Sequence, residues 1–225
     1  GSSANLLMVA TALYAGKIPN KKIVVPSVGW VTTISPIMQL GLNPIMVGAD
    51  PSTYGMDLDQ LEAVCERDRP DFLLLEDACA ALGAAYSDGS MVGTIGDMSS
   101  FSFYFGHQLS TIEGGMVNTS DKKLYEMLLM LRSHGWAKDL SKETYDGLMS
   151  MYGVDDFHSP FTFFVPGFNL RSTDLQAFLG IRQVKKANWV ATQRNKNHIH
   201  YAANLEGHFG FQDWGENFPV SISFG

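Results

Sequence analysis

Cysteine is scarce in this chain: Cys65 and Cys79 are the only two among 225 residues. They form no Cys-x-x-Cys pair and no Cys/His cluster with zinc or iron–sulfur spacing. A disulfide framework is excluded on count, and both thiols read as small buried apolar residues of a cytoplasmic protein. Long apolar runs are missing too, since none reaches the roughly 18 residues needed to span a bilayer. The nearest candidate, Ala4 to Ala15, has no basic segment before it and follows Gly1-Ser-Ser, a helix-opening turn, so it reads as a buried helix and not as a signal segment. There is no run of five like charges, and the formal net charge is -7. Nothing in this suggests a nucleic-acid footprint or a polybasic membrane patch. Repeats and low-complexity tracts are absent. What remains is 45% hydrophobic and 17% charged, the composition of a soluble globular α/β domain with a sizeable core.

Helical and strand patterns alternate. Lys22 to Pro26 and Pro44 to Val47 read as strands, separated by a helix from Trp30 to Leu40 that stops at Gly41. Asp57 to Cys65 is helical with Asp57 as N-cap. Asp71 to Leu75 is a continuous apolar run closed by Glu76-Asp77, as expected of a buried parallel strand. Ser99 to Tyr104 and Gly115 to Asn118 are further strands. Asp121 to His134 is a helix capped by Ser120 and stopped by Gly135. Residues 136–168 form a long excursion rich in Gly, Asp, aromatics and Pro, and Thr173 to Glu206 reads as one long helix bent near Asn195–Asn197. The alternation predicts a three-layer α/β domain with a mixed, mostly parallel sheet.

Five stretches carry a resemblance: Gly1-Ser-Ser-Ala-Asn5, Val25-Pro-Ser-Val-Gly-Trp30, Leu75-Glu-Asp-Ala78, Ser102-Phe-Tyr-Phe-Gly-His107 through Glu113-Gly-Gly115, and Gly167-Phe-Asn-Leu-Arg-Ser-Thr-Asp174. Together and in this order they resemble the sugar aminotransferases of the DegT/DnrJ/EryC1/StrS family, along nearly the whole chain. The resemblance implies the large domain of a fold-type I enzyme dependent on pyridoxal phosphate (PLP), over residues 1–206 with the long connecting helix. Residues 207–225 would begin a truncated C-terminal small domain. It further implies that the family's N-terminal arm is absent, and that a strand and helix usual in the family are missing between Cys65–Pro70 and Asp71. A crossover between adjacent parallel strands takes a dozen residues or more.

Those enzymes hold PLP covalently through a lysine, and here that position is His107. An imidazole cannot form the link but moves protons near neutral pH. The resemblance therefore points to the family's lysine-less branch, the sugar 3-dehydratases, which rest with pyridoxamine phosphate (PMP). The implied reaction removes the C3 hydroxyl of a nucleotide-linked 4-keto-6-deoxyhexose in dideoxysugar biosynthesis. GDP is the expected nucleotide, CDP stays open, and glutamate is the amino donor. A dehydratase type with an iron–sulfur cluster needs cysteines after the His, and none follows Cys79.

The same resemblance assigns roles. Gly1, Ser2, Ser3 and Ser102 would hold the cofactor phosphate at a helix N-terminus. Asp77 would pair with the pyridine nitrogen, and Trp30 would stack on the ring. Asn169 would reach the phosphate of a neighbouring subunit in a homodimer with shared active sites. Arg171 is read either as a substrate contact to the anionic nucleotide or as a surface ion-pair residue. Ala80 stands where the family commonly carries a polar side chain. The aromatic cluster of Trp136, Phe157, His158 and Phe161–Phe164 is read as local core or as a pocket cover. Nothing suggests a metal: His198 and His200 point to different helix faces. Two other readings stay open. One is an aminotransferase-like protein using another lysine, with Lys122 and Lys123 nearest but solvent-facing; the other is a sugar-nucleotide-binding relative without activity.

Overall fold

The computed structural model describes residues 1–68, 72–205 and 207. The chain opens with α1 (Ser2–Tyr14), followed by β1 (Lys22–Pro26), α2 (Val31–Gln39), β2 (Asn43–Val47), α3 (Leu58–Asp68), β3 (Leu75–Asp77), β4 (Met98–Ser102) and β5 (Gly115–Asn118). Helices α4 (Lys122–Arg132), α5 (Lys142–Tyr152), α6 (Asp174–Val184) and α7 (Ala187–Leu205) complete the order.

Helix α1 is the centre of the molecule. Its Leu7, Met8, Ala10 and Ala12 pack with Met98, Leu124, Leu128 and Leu131, joining β4 and α4, while Val9 packs with Val25, Ile37 and Leu42. Leu75 and Ile18 touch both clusters, so the core is continuous. Each fully buried aliphatic side chain stabilises the fold by about 1.5–3 kcal/mol. Pro36 lies inside α2, fully buried.

The expected mixed α/β pattern is present, but the sheet is in two pieces. β1 and β2 form a parallel pair; β3 pairs parallel with β4, and β4 antiparallel with β5. Several local expectations are corrected. Regular pairing of the third strand begins only at Leu75, because Leu74 spends its N–H on the Asp97 carboxylate. The N-cap of α4 is Asp121, whose carboxylate accepts from the N–H groups of Lys123 and Leu124; Ser120 lies one residue too early. The long C-terminal helix divides after Val184, ten residues before the expected bend. The excursion contains α5 and a 3-10 turn (Ser159–Phe161). The small-domain assignment for 207–225 falls outside the described residues, Gly207 apart.

Candidate active site

The carboxyl end of β3, the start of α1, the end of β4 and the loop behind it meet at one place. Close approach is built into the glycines. A Cβ on Gly1 would lie 2.8 Å from Ser102 Oγ and 3.2 Å from Cys79 Sγ. One on Gly115 would lie 2.9 Å from the Gly1 nitrogen. The Gly1 amino group donates to the Gly114 carbonyl at 2.9 Å, which explains the paired glycines after Glu113: β5 must touch the head of α1. The first free N–H groups of α1, at Ser2, Ser3 and Ala4, have no intrahelical acceptor. Asn5 is the first to bond back, to Gly1 O at 2.9 Å. With the buried Ser102 hydroxyl beside Gly1, this head can take a doubly charged phosphate. Ser2 and Ser3 also line a groove of about 170 Å³ between α1 and α2, shared with Thr32 and Gln39.

Asp77 is exposed, yet its carboxylate is oriented by several donors. Thr33 Oγ1 donates to Oδ2 at 2.6 Å and Asn5 Nδ2 to the same oxygen at 2.8 Å. The Cys79 N–H donates to Oδ1 at 3.3 Å. Asn5, 3% exposed, is itself fixed. Its second N–H goes to the Thr32 carbonyl at 3.2 Å, and its Oδ1 accepts from Ser100 Oγ at 2.5 Å. Asn5, Thr33 and Ser100 went unnoticed in the sequence. Only Asn5 left a signal there, as the amide that ends the Gly1-Ser-Ser-Ala-Asn5 stretch. Cys79 sits beneath this network, its thiol pushed up to about 12 by burial and then by the neighbouring Asp77 carboxylate.

His107 is half-buried on the loop after β4. Its N–H donates to Tyr104 O at 3.1 Å, and the Tyr104 ring stands edge-on at 6.1 Å. Its Nδ1 is buried and has no hydrogen-bond partner among the described residues. Burial is the main cause that holds the imidazole below its ordinary range; the Arg194 guanidinium acts the same way and Asp77 opposes it. Arg194, which the sequence reading did not single out, lies on α7. Next to His107, Gln108 is 5% exposed and donates from Nε2 to the Ala80 carbonyl at 2.6 Å. The carboxamide thus ties the His107 loop to the turn after Asp77, at the position where Ala80 brings no polar side chain.

Trp30 is the N-cap residue of α2, 75% exposed and three positions before Thr33. Asn169 and Arg171 stand elsewhere. Arg171 Nη2 donates to Asn169 Oδ1 at 3.2 Å and approaches His134 Nε2 at 3.3 Å, and no hydrogen bond joins this group to His107 or Asp77 among the described residues. The aromatic excursion is mostly self-packed: Trp136 stacks on Phe163 at 5.3 Å, with Lys138 Nζ 4.7 Å from its ring. Phe157 and Phe161 are exposed. Lys122 is exposed and paired with Glu143 at 3.6 Å, and Lys123 is exposed beside it, so neither helix-start lysine belongs to the site.

A helix head with free N–H groups, an oriented carboxylate and a half-buried imidazole are thus the parts of this region. The chain belongs to the DegT/DnrJ/EryC1/StrS aminotransferase family, whose profile matches residues 1–72 and 57–216. Among relatives, it is 35% identical over 224 residues to GDP-4-keto-6-deoxy-D-mannose 3-dehydratase of Yersinia pseudotuberculosis, covering 88% of this chain and 56% of that protein. The crystal structure of a GDP-4-keto-6-deoxymannose-3-dehydratase mutant with bound GDP-perosamine superposes with a TM-score of 0.86 at 31% identity, covering 99% of this chain and 64% of that one. A further structure of such a dehydratase, with a trapped PLP-glutamate geminal diamine, gives 0.79 at 27% identity over 99% of this chain and 64% of its own. The chain therefore spans 56–64% of the length of these proteins.

Proposed function

We propose that the chain is the cofactor-binding part of a PLP/PMP-dependent sugar 3-dehydratase acting on a GDP-linked 4-keto-6-deoxyhexose, with His107 as its acid and base. The observation that carries this reading is the half-buried imidazole, low in proton affinity and with a free Nδ1, in the loop position where the family's aminotransferases hold lysine. The residues fit the cofactor. The Gly1–Ser3 head and Ser102 would receive its phosphate, Asp77 would keep a proton on its ring nitrogen, and Trp30 would cover the ring face. When bound, PMP supplies an amine for the sugar's C4 ketone and a ring that accepts electrons.

With the cofactor bound, the neutral imidazole of His107 would serve as the base, and its imidazolium would return that proton to the departing C3 hydroxyl, which leaves as water. A lysine at this position would hold the cofactor covalently and favour amine transfer. Glutamate replenishes the amine, in keeping with the PLP-glutamate adduct of the related structure. The separate Asn169–Arg171 group suits a contact with the partner's cofactor and nucleotide in a homodimer, because it is exposed and lies apart from this chain's own site.

The test is ammonia release from GDP-4-keto-6-deoxymannose by the full-length protein, with PLP and glutamate, in wild type and His107→Asn. Glutamate-dependent release that falls at least about a hundredfold in the variant supports the proposal. Amino-sugar formation without ammonia would identify a transaminase, and cofactor binding without turnover a binding protein.

A further inference from the structure

The two oxygens of Asp77 are served unequally. Oδ2 accepts from Thr33 Oγ1 at 2.6 Å and from Asn5 Nδ2 at 2.8 Å, the short distances of hydrogen bonds to a charged group. Oδ1 has the Cys79 N–H at 3.3 Å, at the long end for an amide donor. Ser100 Oγ lies 3.5 Å from Oδ1. A hydroxyl has one hydrogen, however, and Ser100 gives its own to Asn5 Oδ1 at 2.5 Å. The Cys79 thiol, 3.7 Å from Ser100 Oγ, is a weak donor. One oxygen is therefore filled and the other is short of a donor, on a carboxylate that stays exposed.

The filled side is built from groups that cannot turn round. The Thr32 carbonyl and an ionised carboxylate only accept, so the Asn5 carboxamide sends its hydrogens to them and its oxygen to Ser100. Thr33 is committed by its place in α2. Thr11 and Thr192 return their hydroxyls to carbonyls four residues back, Leu7 O and Asn188 O, both at 2.8 Å, as helical threonines commonly do. The residue four before Thr33 is Gly29, which lies outside α2, and the Trp30 carbonyl already takes the Thr33 N–H at 3.0 Å. With no helical carbonyl below it, the Thr33 hydroxyl crosses to β3, 44 positions away in sequence. The branched side chain is stiff at χ1, so the hydroxyl holds its direction.

We propose that Thr33 is a positioning residue that sets ligand specificity. Together with Asn5 it pins Oδ2, leaves Oδ1 as the oxygen offered to a ligand, and makes the site prefer a flat ring presenting N–H over one presenting C–H. The inference rests on the cofactor reading above and names what enforces it. A carboxylate pinned at one oxygen cannot swing away when the ligand brings no hydrogen, and an anion covered without a partner is costly. A carboxylate free to rotate discriminates less.

The test uses the full-length protein and two ligands, PMP and its analogue with C–H in place of the ring nitrogen. Calorimetry measures both affinities in wild type, in Thr33→Val, which keeps the branched shape without the hydroxyl, and in Thr33→Ser, which keeps the hydroxyl. Wild type should prefer PMP at least about tenfold, Thr33→Val should lose most of that preference, and Thr33→Ser should retain it. A merely structural role would weaken both ligands alike and leave their ratio unmoved. PMP binding with the same ratio in Thr33→Val overturns the inference alone. So does equal binding of both ligands by wild type, or a Thr33→Ser that behaves like Thr33→Val. A wild type that binds neither ligand overturns the cofactor reading and this inference with it.

Discussion

Replacing Asn5 with alanine is the sharpest probe of how the site is held. The carboxamide donates to Asp77 Oδ2 at 2.8 Å and to Thr32 O at 3.2 Å, and accepts from Ser100 Oγ at 2.5 Å. A hydrogen bond to a charged group contributes about 1.5–3 kcal/mol and a neutral one about 0.5–1.5 kcal/mol. Asp77 is exposed, so water replaces part of the first contribution, whereas Ser100 is fully buried and loses its best acceptor. The expected destabilisation is about 2–3 kcal/mol. Urea unfolding followed by tryptophan fluorescence measures it, as a lower midpoint with an unchanged slope. In a double-mutant cycle with Asp77→Ala, the pair should couple by about 1 kcal/mol. PLP affinity should fall about tenfold, because the carboxylate is no longer aimed. A loss below about 0.5 kcal/mol, or strict additivity with Asp77→Ala, would refute the view that Asn5 orients Asp77.

Three further outcomes follow from the same geometry. His107 has a folded-state pKa below the ordinary value, chiefly from burial; its neutral form is favoured, so stability is lost as pH falls from about 6.5 toward the lower folded value. Arg194→Met should move the His107 titration upward, read by NMR of the imidazole carbon, and an unmoved titration would remove Arg194 from the site. Glu76 feels burial pushing its pKa up, but the N–H groups of Gly93, Ile95 and Gly96 and the Tyr86 hydroxyl outweigh it. Its contribution is present above the ordinary carboxyl value and lost as pH falls through the depressed one. Glu76→Gln should cost about 1–3 kcal/mol at neutral pH and flatten the acid side of the stability profile. Gly135 has φ +94° and its added Cβ would strike the Val165 carbonyl, so Gly135→Ala should destabilise by about 3 kcal/mol or more, measured by thermal unfolding.

Much of the fold was legible because apolar period and caps agree locally. The strand Gly115–Asn118, the helix opened by Asp57 and the stop at Gly41 lie where the sequence places them. The broken sheet was not legible, since a pairing between β1 and β3 depends on which strands meet and not on the pattern within either. The bend before α7 was missed because Gln183 to Lys186 carries no Gly or Pro. Within the site, Gly1, Ser102, Asp77 and His107 were found through motif order, and the structure brings them together. Asn5, Thr33, Gln108 and Arg194 were not, because their importance lies in partners 27 to 95 positions away in sequence, the range spanned by Asn5 with Thr32 and Asn5 with Ser100. Ser120 lost the cap to Asp121 because the carboxylate there reaches two N–H groups.

Proline 36 has a consequence for chemistry well outside its own helix. Having no N–H, Pro36 leaves the carbonyl four residues before it, that of Thr32, without its helical donor. That carbonyl takes a hydrogen from the Asn5 carboxamide instead, which turns the other hydrogen toward Asp77. A missing hydrogen in α2 thus selects the rotamer of an amide in α1, and through it the aim of a carboxylate on β3. Pro36→Ala should tighten the helix and still loosen the hold on Asp77: the more regular backbone would aim the carboxylate less well.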